Sequence, residues 1–242
     1  MAGRVVILGA TGGIGSALAR RVAARGDTPV LLARDAQRLA ALAAEIPGAE
    51  SVAVDATDTA ALKSAIAGLG GPLAGLAYCV GSIILKPAAR VTEADLDAAF
   101  RLNVTGAAMA VQAAMPALAE GEGSVVLFSS VAARAGFPNH LAIGAAKAAV
   151  EGMTVALAAE LAPKIRVNCI APSLTRTRIA EPLTKNPAMA EAIAKLHPIP
   201  RLGEAEDAAA LADFLLSPAA GWITGQVIGV DGGRGTLRTK AG

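Results

Sequence analysis

The sequence predicts an α/β fold, in which a doubly wound parallel sheet of about seven strands is covered by helices on both faces. Short apolar runs rich in β-formers alternate with helical patterns along the 242 residues, and 54% of the residues are hydrophobic, enough for one large core. No linker, repeat or low-complexity stretch interrupts the alternation. We therefore predict a single domain over residues 1–242, with a covering segment at about 178–200.

The amino-terminal unit is predicted to be a strand, a tight turn and a helix. Residues 4–15 read RVVILGATGGIG, an apolar run followed by Gly9, Gly13 and Gly15. Glycine accepts the positive φ of a tight turn, and its missing Cβ lets the backbone approach a pyrophosphate, which the helix N-terminus would attract. The same cluster is also compatible with an ordinary strand–helix corner. The helical pattern over 16–25 and the strands over 28–33 and 51–54 complete a βαβ unit and favour a dinucleotide site.

The later elements follow in the same alternation. Strands are predicted over 75–80, 124–129, 165–170 and 226–230, and helices over 93–119, 140–161 and 204–216. The alanine-rich stretch over 142–159 allows close packing, which explains how a chain with 2% aromatic residues stays compact. Strands separated by helices predict a parallel sheet.

Charge and cysteine usage exclude several classes of protein. Lys and Arg number 22 against 20 Asp and Glu and are scattered, so no nucleic-acid partner is predicted. Cys79 and Cys169 stand apart in runs that we interpret as buried strands, so we predict neither a disulfide nor a metal site. No leader is evident and no uninterrupted apolar run reaches the roughly 18 residues of a membrane helix. We expect a cytoplasmic protein without a membrane partner.

Several ordered motifs then resemble one enzyme family. The segments are GATGGIG at 9–15, VAVDATD at 52–58, RLNVTG at 101–106, VLFSSVA at 126–132, IRVNCIAPSLTRT at 165–177 and ITGQVIGVDGG at 223–233. Together they are similar to the short-chain dehydrogenase/reductase family over nearly the whole chain. The resemblance implies a Rossmann-type fold, a nicotinamide cofactor, and a homotetramer or dimer.

The resemblance also implies roles for individual residues. Asn103, Ser130 and Lys147 take the places of the family's active-site asparagine, catalytic serine and ribose-binding lysine; the neighbouring Ser129 competes with Ser130, whose spacing fits better. The expected cofactor-binding residues are Gly9, Thr11, Gly13, Ile14, Gly15, Arg34, Asp55, Ala56, Gly81, Lys147, Pro172, Thr175 and Thr177.

The end of the second strand, LLARD, predicts the cofactor. An arginine at the first loop position would bind a 2′-phosphate, whereas a carboxylate would accept from a 2′-hydroxyl. Arg34 holds that position, so NADP is favoured. In the alternative, Arg34 is a solvated surface residue and Asp35 binds the ribose of NAD.

The acid–base chemistry departs from the family pattern. The resemblance implies a tyrosine four residues before Lys147, where this chain has Ile143, which exchanges no proton. The enoyl-thioester reductase branch instead has YxxMGxAK, which resembles HLAIGAAK at 140–147 and puts His140 at the tyrosine position. His140 is therefore a candidate hydrogen-bond donor. In the alternative it only precedes the helix, and Tyr78, the sole tyrosine, is a remote candidate acid that is better explained by core packing.

We predict an atypical NADP-dependent oxidoreductase that reduces an activated C=C or a carbonyl of an apolar small molecule. The segment 178–200 resembles the family's substrate lid, and its apolar side chains motivate the substrate class. The alternatives are an NADP-binding protein without turnover, acting as a sensor or partner, and a structural subunit that has lost the cofactor. Intact glycines and Lys147 disfavour the last of these.

Overall fold

The backbone forms one seven-stranded parallel sheet with the strand order β3-β2-β1-β4-β5-β6-β9. The computed structural model describes residues 3–238. The strands are β1 Arg4–Leu8, β2 Thr28–Ala33, β3 Glu50–Ala53, β4 Gly75–Tyr78, β5 Ser124–Phe128, β6 Arg166–Pro172, β7 Thr175–Arg176, β8 Gly203–Glu204 and β9 Val227–Val230. The two-residue strands β7 and β8 pair with each other in a second, small sheet. The predicted doubly wound sheet is confirmed.

Helices cover both faces of the sheet. They are α1 Gly13–Ala24, α2 Ala36–Glu45, α3 Thr59–Ala67, α4 Glu93–Phe100, α5 Gly106–Glu120, α6 Leu141–Leu161, α7 Glu181–Thr184, α8 Pro187–Ala194 and α9 Ala205–Leu216. One core cluster joins the sheet to α3, α5 and α6, and a second joins the opposite face to α1, α2 and α9. The central strands β1, β2, β4, β5 and β6 are buried on both faces, which explains their unbroken apolar runs.

The helix predicted over 93–119 is not uniform. Its amino-terminal part α4 and its carboxyl-terminal part α5 are joined by a π-helical turn over Arg101–Thr105. A π turn inserts a wider loop of backbone into a helix and is found often at functional sites. Asn103 lies in the middle of this turn, so the irregularity is placed at a predicted site residue.

Several predicted boundaries were wrong by a few residues. The strand predicted over 75–80 ends at Tyr78, so Cys79 follows it and is half-buried rather than enclosed in a strand. The helix predicted from residue 140 begins at Leu141, with His140 as its N-cap. The segment 178–200 contains two short helices, α7 and α8, where the sequence indicated one. Pro182 lies in the first turn of α7 and Pro187 is the first residue of α8, and Pro187 prevents the two from forming one continuous helix.

Two long helical stretches are apolar enough, by length and composition, to cross a membrane. They are Glu93–Glu120 and Leu141–Leu161, among residues 3–238. Both pack on the sheet within the first core cluster. Core helices of soluble proteins meet the same criterion, so the observation is weak evidence for a membrane span.

Candidate active site

The glycine turn after β1 leaves the start of α1 without a side-chain cap. Gly9 has φ 74°, and a Cβ there would lie 2.9 Å from the backbone of Cys79. The N-cap of α1, Gly12, provides no side-chain hydrogen bond, so the first N–H groups of the helix remain available. A Cβ on Gly13 would lie 2.7 Å from Thr177 Cγ2. Thr177 therefore packs directly against the glycine turn, beside the N–H groups at the start of α1, which attract anions such as a pyrophosphate.

Two arginines and two carboxylates lie at the carboxyl edge of β2 and β3. Asp35 caps α2, since its Oδ1 accepts from the Arg38 N–H at 3.0 Å. The Arg38 guanidinium donates to the Thr11 carbonyl at 2.9 Å and so reaches the glycine turn. The Thr57 N–H and hydroxyl donate to Asp55 and, with a smaller effect of the Arg34 charge, hold the pKa of this carboxyl below its usual range.

Lys147 and Asn103 converge on one small space. A Cβ added to Gly81 would lie 3.5 Å from both Lys147 Nζ and Asn103 Oδ1. Asn103 Nδ2 donates to the Ala99 carbonyl at 2.9 Å, but its Oδ1 has no partner and is the only buried side-chain polar atom in that state among residues 3–238. A buried acceptor without a donor is costly, so this space fits a polar group of a ligand.

The ammonium of Lys147 is held in the interior of the protein. Its Nζ donates to the Phe128 carbonyl at 2.8 Å, and the residue is buried. Burial lowers the pKa of Lys147 to about 8, and the thiols of Cys169 and Cys79 offset part of this effect. Because the part of the chain that the structure describes provides one hydrogen bond to this buried charge, the ammonium is available to a further partner.

The two adjacent serines after β5 have different surroundings. Ser129 is buried, and its hydroxyl contacts the Lys147 carbonyl at 3.1 Å and Glu151 Oε1 at 2.9 Å. Ser130 is only half-buried, and its Oγ accepts from the Ala132 N–H at 3.2 Å. Its hydroxyl hydrogen therefore remains free to donate. This difference favours Ser130 over Ser129 as the residue that can contact a ligand.

Comparison with known proteins places the chain in a family. The sequence profile of the family described as "Enoyl-(Acyl carrier protein) reductase" matches residues 9–234. "Dehydrogenase/reductase SDR family member 4" of Rattus norvegicus is 36% identical over 239 residues, which cover 94% of this chain and 85% of that protein. The chain belongs to the short-chain dehydrogenase/reductase family. Because its relatives are named dehydrogenases and reductases, it is an oxidoreductase.

Other members of the short-chain dehydrogenase/reductase family agree in sequence and fold. L-xylulose reductase of Bos taurus is 33% identical over 233 residues, which cover 95% of this chain and 95% of that protein. A short-chain type dehydrogenase/reductase from Mycobacterium ulcerans superimposes with a TM-score of 0.90 at 32% identity, over 97% of this chain and 90% of that one. A gluconate 5-dehydrogenase from Burkholderia cenocepacia J2315, in complex with NADP and tartrate, superimposes with a TM-score of 0.91 at 27% sequence identity. The match covers 97% of this chain and 96% of that one.

In this short-chain dehydrogenase/reductase, the other candidate acid–base residues have distinct environments. Tyr78 is buried and donates to the Leu102 carbonyl at 2.6 Å, and burial raises its pKa above the usual value, which makes it a core residue. Ile143 is buried one turn before Lys147. His140 is half-buried, caps no helical N–H, and its Nδ1 lies 2.7 Å from the Pro138 carbonyl. That carbonyl only accepts, so Nδ1 carries a hydrogen and Nε2 is free.

The sequence reasoning missed three features of the site. Arg38, Glu151 and the pair of Ser173 with His197 were not among the predicted residues. Glu151 joins Ser129 to Arg134, whose Nε donates to it at 2.6 Å. Ser173 Oγ and His197 Nε2 lie 2.8 Å apart and connect β6 to the end of the 178–200 segment. The helical spacing of Glu151 from Lys147 could have indicated its side of α6, but no sequence pattern indicates the other contacts.

Proposed function

We propose that the chain is an NADP-dependent oxidoreductase with an atypical acid–base group, which reduces an activated C=C or a carbonyl of an apolar small molecule. The observation that carries the proposal is the convergence of Lys147 Nζ and Asn103 Oδ1 beside Gly81. One donor and one unpartnered acceptor meet there, next to the strand end that leads to Ser130. This is a polar centre that a ligand with hydroxyl groups would complete.

The preference for NADP over NAD is supported by the edge of β2. Asp35 is engaged in capping α2, whereas the guanidinium groups of Arg34 and Arg38 flank the loop and the glycine turn. A guanidinium pairs well with a phosphate in a two-pronged hydrogen bond. We infer that these arginines hold the 2′-phosphate, and that the N-terminus of α1 and Thr177 hold the pyrophosphate.

The roles of the residues at the reacting end follow from their hydrogen bonds. The nicotinamide, when bound, supplies the hydride. Lys147 would donate to the ribose hydroxyls, and Asn103 Oδ1 would accept from the same polar cluster. Ser130 would donate its hydroxyl hydrogen to the substrate oxygen, which stabilises negative charge on that oxygen. His140 would move a proton through its free Nε2, because Nδ1 is committed to Pro138.

A second candidate function is cofactor binding without turnover. It is favoured by Ile143, a buried and non-ionisable side chain one turn before Lys147, where the family pattern has its tyrosine. A protein of this kind would bind NADPH and act as a sensor or partner. Oxidation of NADPH in a panel of enones, enoyl thioesters and ketones separates the two candidates, since only an enzyme consumes the cofactor.

Calorimetric titration with NADPH and NADH tests the cofactor assignment. Arg34→Ala should weaken the binding of NADPH by about tenfold or more and leave the affinity for NADH unchanged, because it removes one charge-assisted phosphate contact. Asp35→Asn is the matched control, since asparagine also caps helices. It should affect neither nucleotide. A selective loss of NADH affinity in Asp35→Asn, with Arg34→Ala unaffected, would reverse the assignment, and no binding by the wild type would refute the proposed function.

A further inference from the structure

Arg234 lies in the turn after β9, against the segment that carries Ser130. A Cβ on the next residue, Gly235, would lie 3.5 Å from Cγ1 of Val131, which follows Ser130. Arg234 Cζ lies over the Phe137 ring, 4.8 Å from its centroid, and the Phe137 and His140 rings are 5.4 Å apart. These four residues, Val131, Phe137, His140 and Arg234, form what we call the active-site wall.

The guanidinium of Arg234 has no counter-charge within the described residues 3–238. It is half-buried, it makes no side-chain hydrogen bond or ion pair there, and burial alone lowers its pKa without any acid acting against it. The nearest carboxylate in sequence, Asp231, is already engaged by the N–H groups of Gly233 and Gly235, each at 2.8 Å. A charged donor that is removed from water and gains no hydrogen-bond partner is destabilised. The Arg234 guanidinium therefore favours the binding of an anion.

The surroundings of Arg234 indicate the kind of anion. A cation placed over an aromatic face still has hydrogen-bond donors at its edge, and the guanidinium edge matches the two oxygens of a carboxylate. Arg134, in the same loop as Phe137, is already paired with Glu151 at 2.6 Å. One unpaired guanidinium balances a single negative charge, which fits a carboxylate better than a doubly charged phosphate.

We propose that Arg234 binds a carboxylate of the substrate, so that the compound reduced at Ser130 is an organic acid. The inference rests on the proposed function and narrows its substrate class to otherwise apolar molecules that carry one carboxylate. The carboxylate would lie at the active-site wall, while the carbonyl or the activated double bond reaches Ser130. The Phe137 ring strengthens such an ion pair, because it keeps water away from one face of the Arg234 guanidinium.

Matched pairs of oxo acids or 2-enoic acids and their methyl esters test the proposal. Each compound is titrated calorimetrically into the free and the NADPH-loaded protein, and NADPH consumption is followed in parallel. At least one acid should bind better than its ester. Arg234→Leu should weaken that acid about 10- to 100-fold, with ester and NADPH affinities unchanged, since one charge-assisted contact is lost. Arg234→Lys should retain part of the affinity, because it keeps the charge without the two-pronged geometry.

Arg20→Leu is the matched control, because Arg20 is an exposed arginine in the second half of α1, outside the candidate site. It should leave acid binding unchanged. Esters that bind as well as acids, acids that bind equally to wild type and Arg234→Leu, or no acid bound at all would each overturn the proposal. Circular dichroism checks that the variants fold, and Arg234→Gln replaces Arg234→Leu if the latter does not. A wild-type protein that does not bind NADPH would instead refute the proposed function. Failure of the carboxylate proposal and failure of the proposed function are therefore distinguishable.

Discussion

At the scale of single residues, Lys147 is the group in the site whose charge is most disfavoured by burial. Lys147 is removed from water, and among residues 3–238 its ammonium has one acceptor, the Phe128 carbonyl. The low pKa of about 8 expresses the resulting preference for the neutral form. A charge kept in this condition destabilises the cofactor-free fold. The same charge becomes useful when a ligand hydroxyl or phosphate provides the missing partner.

Lys147→Met should separate stability from function. Below pH 8 the folded and unfolded states both carry the charge, so wild type bears the full burial penalty. From about pH 8 to the unfolded value of about 10.4, the folded state releases its proton first, and the wild type is stabilised as pH rises. At pH 7 Lys147→Met should be as stable as wild type or more stable, by on the order of 1–3 kcal/mol, and inactive.

Urea unfolding from pH 7 to 10 measures this difference, which should shrink as pH rises. Lys164→Met, which replaces an exposed lysine just after α6, is the control and should show no such trend. Parallel stability profiles for wild type and Lys147→Met would contradict the prediction.

At the scale of elements, the site depends on how α6 is attached to the end of β5. Glu151 on α6 accepts from Ser129 Oγ at 2.9 Å and from Arg134 Nε at 2.6 Å. These residues flank Ser130, and Lys147 lies one turn before Glu151 on the same helix. A buried carboxylate with two donors therefore fixes the distance between the serine and the lysine.

Glu151→Ala should lower both stability and activity. The substitution removes two hydrogen bonds to a buried charge, which costs about 1–3 kcal/mol, and leaves Arg134 without its partner. Chemical denaturation measures the stability, and NADPH oxidation measures the activity. Glu151→Gln should recover part of both, because its amide oxygen still accepts. Glu160→Ala, an exposed carboxylate on the same helix, should change little. Equal effects of Glu151→Ala and Glu160→Ala would refute the role of this network.

At the scale of the whole molecule, the sheet has two open edges among residues 3–238, at β3 and at β9, and exposed aromatic side chains lie near the second. The strand β9 pairs only with β6, and its outer edge has no neighbour within residues 3–238. Trp222, in the loop before β9, is 100% exposed, and Phe214 on α9 is 41% exposed. Open strand edges and exposed aromatic side chains favour association with another chain. We propose that the protein is a homo-oligomer, a tetramer or a dimer, that uses this edge.

Trp222→Ser should reduce the mass of the assembly without unfolding the chain, because Trp222 contributes no buried area to the single protomer. Light scattering coupled to gel filtration measures the mass, and circular dichroism monitors folding. Leu196→Ser, which replaces an exposed leucine of the 178–200 segment, should leave the mass unchanged. A monomeric wild type would show that the edge is not an interface.

Sequence pattern by itself determined the fold class, and it predicted most of the residues that we place in the candidate site. Period and composition act locally, so apolar runs and glycines predicted the sheet, the turn at Gly9 and the helix behind Ser130. Only the tertiary structure decided which groups are already engaged. Ser129 is bound to Glu151, and the Arg234 guanidinium has no hydrogen-bond partner among residues 3–238, because both outcomes depend on residues distant in sequence. Chain folding brings such residues together, and pairwise burial and hydrogen bonding then decide which side chains remain available to a ligand.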